Sequence, residues 1–152
     1  MAVLAFLLAG IRILGFTPYV VLSGSMEPTF HVGSMIYVRA VDPEEIQAGD
    51  AITFAISGDM AATHRVVEAD RENQCFYTKG DANDTADAAP VPYEAVRGKA
   101  VFSIPGLGYL SDWITRPPGC YAALTAGGVL LLLILLPDLL FGKEAQKKPK
   151  QS

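Results

Sequence analysis

The segment over residues 23–29, which reads Ser-Gly-Ser-Met-Glu-Pro-Thr, holds the first candidate for chemistry. It begins directly after an apolar run that ends at Leu22. At roughly 3.3 Å per extended residue, the hydroxyl of Ser25 would lie only about 10 Å beyond that run, close to a bilayer surface if the run lies in a membrane. Serines in such segments more often cap helices or form turns than act as nucleophiles. Ser25 therefore needs partners before chemistry can be assigned to it.

A histidine is the first of those partners, because a serine is a poor nucleophile unless a neighbouring base accepts its proton. The chain has two, His31 and His64, and His64 stands at the start of a β-prone run over residues 65–69. A neutral imidazole can take the serine proton and return it to a leaving amine. Lys79 is the rival base, but a serine–lysine dyad needs a desolvated lysine, and Lys79 lies in a polar, acidic loop.

An acid that orients the imidazole would complete the set. The loop over residues 78–87 reads Thr-Lys-Gly-Asp-Ala-Asn-Asp-Thr-Ala-Asp and offers Asp81, Asp84 and Asp87. Each of these aspartates, taken alone, is more often a turn residue than an acid with a catalytic role. The residues by themselves leave the choice among the three open.

The elements that must position these residues are short strands. Between the two apolar ends of the chain lie β-prone runs separated by turn residues, and residues 70–74 read as the polar turn between two of them. Short alternating segments at this spacing predict a mainly β, antiparallel domain, either a barrel or a sandwich. The predicted strands cover residues 34–39, 51–56, 65–69, 75–79 and 98–104.

Both ends of the chain are apolar enough to suggest membrane segments. Residues 118–137 contain no charge, and a span needs about 20 such residues, so we predict a transmembrane helix over 118–141. Residues 1–22 are apolar except for Arg12 and are interrupted by Gly10, Gly15 and Pro18. We predict an N-terminal transmembrane signal anchor there, because a cleaved signal peptide would have a charged start and a small-residue cleavage site.

Charge then orients the chain and limits its partners. The tail over residues 142–152 carries four lysines, which predicts a cytoplasmic location, whereas residues 23–116 carry 14 acidic and 7 basic side chains. The domain over 23–117 is therefore expected on the extracytoplasmic side. A net charge of −4 argues against a nucleic-acid partner. Cys75 and Cys120 are too few for a disulfide scaffold and too far apart for a zinc site, and no cofactor or metal is predicted.

The order of these motifs resembles the type I signal peptidases. Within that family, His64 in place of a lysine base is similar to the endoplasmic-reticulum-like branch of archaea and Gram-positive bacteria. The resemblance rests on five ordered segments: SGSMEPTF at 23–30, GDAITF at 49–54, THRVV at 63–67, TKGDANDTAD at 78–87 and GKAVFSIPGLGYL at 98–110.

The resemblance implies a role for each candidate residue. Ser25 would be the nucleophile, His64 the general base, Asp87 the acid that orients it and Asp81 a second essential or structural acid. The hydroxyl of Ser23 and the backbone N–H of Ser25 would form the oxyanion hole. Two features depart from the family pattern: a serine stands at position 34, where an aspartate is usual, and Asp84 adds a third acid to the loop.

The expected function is therefore that of a membrane-bound serine endopeptidase that removes N-terminal signal peptides from exported preproteins after small residues, at Ala-x-Ala-like sites. Its partners would be signal peptides, the lipid bilayer and the secretion translocon. An extended substrate could add to an edge strand, with Phe54, Ile56 and Val66 as candidate groove residues. One alternative is an inactive membrane-anchored β domain that binds or assembles exported proteins. A self-cleaving repressor-type peptidase is a second, disfavoured by two spans and by His64 instead of a lysine.

Overall fold

The computed structural model describes residues 10–58 and 60–141, with side chains up to residue 136. These described residues form seven strands, two α-helices and four short 3-10 helices. The strands are β1 (Phe16–Val20), β2 (Met35–Arg39), β3 (Ala51–Ser57), β4 (Met60–Asp70), β5 (Cys75–Lys79), β6 (Val91–Pro92) and β7 (Val96–Ile104). The helices are α1 (Leu107–Thr115) and α2 (Gly119–Phe141), and the 3-10 helices are Gly10–Leu14, Gly24–Met26, Pro43–Glu45 and Tyr93–Ala95.

The seven strands form one sheet in the order β1-β2-β7-β3-β4-β5-β6, and every neighbouring pair is antiparallel. All five runs predicted from the sequence are strands, and residues 70–74 join β4 to β5 as predicted. The antiparallel prediction is confirmed. The described strands make a single sheet instead of the two stacked sheets of a sandwich.

The start of the sheet differs from the predicted N-terminal span over residues 1–22. Residues 1–9 lie outside the described residues, but Gly10–Leu14 is a 3-10 helix and Phe16–Val20 is β1, which pairs with β2. Gly15 adopts a φ of +81°, a conformation that ends a helix, and Pro18 lacks the N–H that a helix interior requires. The described part of this segment therefore belongs to the sheet and is not a membrane helix.

The core of the domain lies on both faces of the sheet. Ile36 and Val38 of β2 pack into one buried cluster, whereas their neighbours Met35 and Tyr37 pack into another. This alternation follows from the two-residue period of a strand, and it explains why β2 is buried on both sides. A third cluster lies under β3, β4 and β5 and contains Ile46, Ile52, Val66, Phe76 and Val91.

Helices α1 and α2 occupy most of residues 107–141. The chain divides into two compact units, residues 1–110 and 111–152. Helix α2 has 23 residues, about 35 Å at 1.5 Å per residue, and an apolar stretch over Gly119–Leu136, so it is long and apolar enough to cross a membrane. The span expected over 118–141 is thus helical, while the expected tail over 142–152 lies outside the described residues. Cys75 and Cys120 are both free thiols.

Two buried hydroxyls of equal exposure generate the first prediction. Ser34 and Thr53 are each 1% exposed. The Oγ1 of Thr53 is bonded to that of Thr63 at 2.7 Å, but the Oγ of Ser34 has no partner among the described residues. Burying a hydroxyl without a partner is unfavourable, so the serine at position 34 gains nothing from its polar group.

We expect Ser34→Ala to leave the free energy of unfolding unchanged or to raise it by up to about 1 kcal/mol, because an unpaired buried hydroxyl is removed. Thr53→Val is the matched comparison and should lower it by about 1 kcal/mol, because it breaks a hydrogen bond. Thermal unfolding of the purified protein in detergent measures both. If both substitutions lowered the free energy of unfolding equally, the Ser34 hydroxyl would have to make a stabilising hydrogen bond, and the prediction would be wrong.

Candidate active site

The candidate nucleophile lies in the 3-10 helix Gly24–Met26, in the segment between β1 and β2. The backbone of this short helix is held in place by Met26, whose side chain is 2% exposed and packs into the buried cluster that contains Phe30 and Ile36. Ser25 is half-buried beside that anchor. A single apolar side chain next to the serine therefore ties its backbone to the core.

The histidine comes from the sheet. His64 lies on β4 opposite Ile52 of β3, which is fully buried, and the edge of its ring faces Phe54 at 6.1 Å between ring centroids. Its Nε2 is 3.2 Å from the Oγ of Ser25, and its Nδ1 is 2.6 Å from an oxygen of Asp87. The imidazole side chain is only 15% exposed. A serine, a histidine and an aspartate thus form one hydrogen-bonded chain, which can transfer a proton from a hydroxyl to an imidazole.

The three aspartates of the 78–87 loop occupy three different environments. Asp87 faces His64, as described above, while Asp84 is exposed. Asp81 accepts both Nε–H and Nη2–H of Arg65, at 2.7 and 2.6 Å, and the hydroxyl of Thr29 at 2.6 Å. Because neighbouring residues of a strand point to opposite faces, His64 and Arg65 contact different acids of the same loop: His64 contacts Asp87, and Arg65 contacts Asp81.

The ion pair with Arg65 also lowers the pKa of the Asp81 carboxyl group. Hydrogen bonding from the Arg65 guanidinium, helped by the Thr29 hydroxyl, holds the pKa of Asp81 below its ordinary value of 3.8, against the opposing effect of burial. Asp81 is therefore ionised throughout the neutral range, and its bonds tie the loop to β4 and to the segment that follows Ser25.

The same loop touches the backbone of the candidate nucleophile. The N–H of Ala82 donates to the carbonyl oxygen of Ser25 at 2.9 Å. At Gly80, an added Cβ would lie only 2.5 Å from that same oxygen, so no larger residue fits there without displacing Ser25. The glycine-aspartate pair at 80–81 thus serves close packing against the serine as well as the ion pair.

The remaining sequence candidates lie around this centre. The Oγ of Ser23 is 3.4 Å from the Oγ of Ser25, in an exposed position. The second histidine, His31, pairs instead with Glu27. The rival base Lys79 is half-buried opposite Arg65 in the register of β4 and β5. In the described ranges, no group of three or more His, Cys, Asp or Glu side chains could hold a metal ion.

A groove of about 580 Å³ leads to the serine and the histidine. One wall is the segment from Tyr19 to Met26, and the other is the start of β4, Met60–His64. This part of β4 pairs with β3 on one side, while its pairing with β5 begins only at Arg65. The other edge of Met60–His64 therefore lacks a β5 partner at the groove.

The candidate groove residues are only partly correct. Ile56 lines the groove and is 63% exposed. Val66 is 2% exposed and belongs to the buried cluster under β4, and Phe54 packs against that same cluster. The prediction was wrong for Val66 because the inward face of β4 beyond His64 is covered by β5 and the core. The groove residues Leu22, Ala61 and Ala62 were missed, although they directly adjoin the two motifs.

The Arg65–Asp81 pair generates a pH-dependent prediction. A carboxylate whose pKa is lowered by folding stabilises the fold above its ordinary pKa, and this contribution is lost as the pH falls through the folded-state value. We expect Asp81→Asn to lower the free energy of unfolding at pH 7 by about 1.5 kcal/mol, a value reduced for the 35% exposure of Arg65. Thermal unfolding from pH 7 to pH 3 should show the difference from wild type shrinking below about pH 4.

The matched control is Asp84→Asn, which neutralises an exposed acid in the same loop. We expect it to change stability by less than about 0.5 kcal/mol at every pH, as is usual for surface substitutions. A constant gap between wild type and Asp81→Asn down to pH 3 would show that the ion pair does not stabilise the domain.

Comparison with known proteins identifies relatives of this chain. The family described as signal peptidase, peptidase S26, matches residues 1–79. The chain is 47% identical over 90 residues to signal peptidase I W of Bacillus subtilis (strain 168), covering 57% of this chain and 47% of that protein. It is 42% identical over 72 residues to signal peptidase complex catalytic subunit SEC11C of Homo sapiens, covering 45% of this chain and 38% of that protein.

A longer match is found with signal peptidase complex catalytic subunit SEC11 of Komagataella phaffii, 32% identical over 133 residues, which is 77% of this chain and 76% of that protein. The chain spans less than half the length of the first two relatives. The family match covers the segments that hold Ser25 and His64, and the resemblance drawn from the motifs is confirmed. This chain belongs to the signal peptidase family, peptidase S26.

Proposed function

We propose that this protein is a signal peptidase, a serine endopeptidase that cleaves N-terminal signal peptides from exported preproteins. The observation that carries the proposal is the hydrogen-bonded chain in which His64 contacts Ser25 through Nε2 and Asp87 through Nδ1. Family membership supports the same activity. Ser25 is the proposed nucleophile, His64 the general base and Asp87 the acid that orients it.

The first half of the reaction follows from this geometry. Nε2 of His64 takes the proton from Oγ of Ser25 as the oxygen attacks the carbonyl carbon of the scissile peptide. The carboxylate of Asp87 holds the imidazole through Nδ1–H and stabilises the imidazolium that forms. The negative charge that develops on the carbonyl oxygen is met by the N–H of Ser25 and by the hydroxyl of Ser23, which lies 3.4 Å from the attacking oxygen.

The second half uses the same groups in reverse. The imidazolium gives its proton to the leaving amine, so the C–N bond breaks and the mature protein departs while the signal peptide stays esterified to Ser25. A water molecule, deprotonated by His64, then attacks the ester. The proton returns to Oγ, and the signal peptide leaves with a new carboxylate.

The groove suits an extended substrate. The edge of β4 over Met60–His64 that faces the groove offers backbone groups to an added strand, and this edge ends at the proposed base. Side chains such as Ala61, Ala62 and Thr63 leave the wall shallow at the serine. A peptide with small residues on the side facing the wall would bring its scissile carbonyl to Ser25, in agreement with Ala-x-Ala-like sites.

The proposed location follows from charge and hydropathy. Helix α2 would cross the bilayer, with the four lysines of residues 142–152 on the cytoplasmic side. The acidic sheet domain would then face the extracytoplasmic side, where signal peptides emerge from the membrane and the translocon. The expected multi-pass arrangement stays a prediction, because residues 10–22 belong to the sheet domain and residues 1–9 lie outside the described residues.

The first test of the activity removes the proposed nucleophile and base. We expect Ser25→Ala and His64→Ala each to reduce kcat by at least about 10⁴-fold, because either change interrupts the proton transfer. The assay is cleavage of a preprotein with an Ala-x-Ala site by the purified protein in liposomes. His31→Ala is the matched control, since it removes the other histidine, and should retain activity within about twofold. Undiminished cleavage by Ser25→Ala would rule out the proposed function.

The second test addresses orientation. In a variant whose two native cysteines are replaced by alanine, a membrane-impermeant maleimide should label Glu68→Cys, on the exposed surface of β4, in intact cells. The comparison variant Lys148→Cys, in the basic tail, should be labelled only after lysis. Labelling of both positions only after lysis would place the sheet domain in the cytoplasm and overturn the proposed orientation.

A further inference from the structure

The carboxylate that contacts His64 has a second, buried donor. The Oδ2 atom of Asp87 accepts from the Nδ1 of His64 at 2.6 Å and also from the hydroxyl of Thr78 at 2.6 Å. A carboxylate can only accept, so the Thr78 hydroxyl is the donor of this bond. Both bonds meet at one oxygen, and the rotation of the carboxylate decides whether that oxygen faces the imidazole.

Thr78 is also hydrogen-bonded to Asp87 through the main chain. Its carbonyl oxygen accepts the N–H of Asp87 at 2.8 Å, so backbone and side chain of Asp87 are bonded to the same residue. Thr78 itself is 1% exposed and lies on β5 opposite Val66, which is 2% exposed. The loop that ends at Asp87 is therefore attached to a rigid strand at the position that controls its carboxylate.

The carboxylate of Asp87 is partly exposed to solvent, so a buried hydrogen-bond donor matters for its orientation. The side chain of Asp87 is 23% exposed, so water can compete for its oxygens, and the loop around Asp84 is exposed. A buried hydroxyl on a paired strand is a donor that water does not displace easily. Without it, the carboxylate would turn among several orientations, of which only one accepts from Nδ1 of His64.

We infer that Thr78 is a positioning residue for the reaction, whose hydroxyl fixes Oδ2 of Asp87 toward His64. This inference rests on the proposed function. The side-chain hydrogen bond of Thr78 goes to Asp87 and not to Ser25 or His64, so we expect its effect on the reaction to pass through Asp87. The loss of the hydroxyl should therefore slow the chemical steps and leave substrate binding in the groove unchanged.

The test compares Thr78→Val, which keeps the shape and removes the hydroxyl, with Thr78→Ser, which keeps the hydroxyl. We expect Thr78→Val to lower kcat by about 10- to 100-fold, the range typical of a small misplacement of a catalytic group, with KM within about twofold of wild type. Thr78→Ser should retain at least about half of the wild-type kcat. Thermal unfolding shows whether each variant is folded, and Thr78→Ala replaces Thr78→Val if the latter is not.

A double-mutant cycle separates positioning from a merely structural role. If Thr78 acts through Asp87, adding Thr78→Val to Asp87→Ala should change the residual single-turnover rate, measured with enzyme in excess, by less than about twofold. Losses that multiply, equal losses in Thr78→Val and Thr78→Ser, or a folded Thr78→Val with wild-type kcat would each overturn the inference. An active Ser25→Ala would instead overturn the proposed function, so the two failures are distinguishable.

Discussion

The site depends on one imidazole that is bonded on both sides at once. His64 can accept a proton from Ser25 through Nε2 only if Nδ1 keeps its own proton, and the carboxylate of Asp87 at 2.6 Å fixes that arrangement. The three residues come from a short helix, a strand and a loop, separated by 39 and 23 positions in sequence. The rest of the sheet domain can be understood as the structure that keeps these three segments in register.

Most of that constraint is concentrated in the 78–87 loop. Thr78, at the end of β5, bonds Asp87 at the far end of the loop. Gly80 and Ala82 lie against the carbonyl of Ser25, and Asp81 is held by Arg65. A displacement of this loop would therefore move Asp87 and Ser25, the proposed acid and nucleophile, together. The ion pair of Asp81 with Arg65 ties the loop to the residue of β4 next to His64, so it holds the loop against the same strand.

The antiparallel strands could be predicted from the alternation of apolar residues. The pairing of Ser25 with His64 could not be predicted from local pattern alone, since a serine in a turn segment is not distinctive; it depended on the order of the motifs along the chain, and the structure brings the two side chains together. The choice among Asp81, Asp84 and Asp87 could not be made from the residues alone, since it depends on which face of β4 each acid meets. The resemblance suggested Asp87 for His64, and the contacts agree. Arg65, directly after the histidine, was the available signal for the role of Asp81.

The N-terminal segment shows the opposite case, in which a local pattern misled. The predicted span over residues 1–22 rested on apolar side chains, and a count of apolar side chains ignores where the backbone groups find partners. Phe16–Val20 pairs residue by residue with β2, and that pairing, together with Gly15 and Pro18, excludes a continuous helix. The prediction that Val66 lines the groove was wrong for a related reason. An apolar residue on a strand can face a groove or pack into the core, and the sequence of that strand alone does not distinguish the two.

A difference in strand length places the candidate site beside the groove proposed to hold the substrate. β4 has 11 residues and β5 has five, so β4 loses this partner at one end, and the pairing stops between His64 and Arg65. His64 is thus the last residue of β4 on the groove side before its pairing with β5 begins. The same feature leaves the backbone groups of Met60–His64 without a β5 partner, and these are the groups that the proposed extended substrate would use. A longer β5 would pair with this edge, so the open edge beside the proposed base follows from the point at which β5 stops pairing with β4.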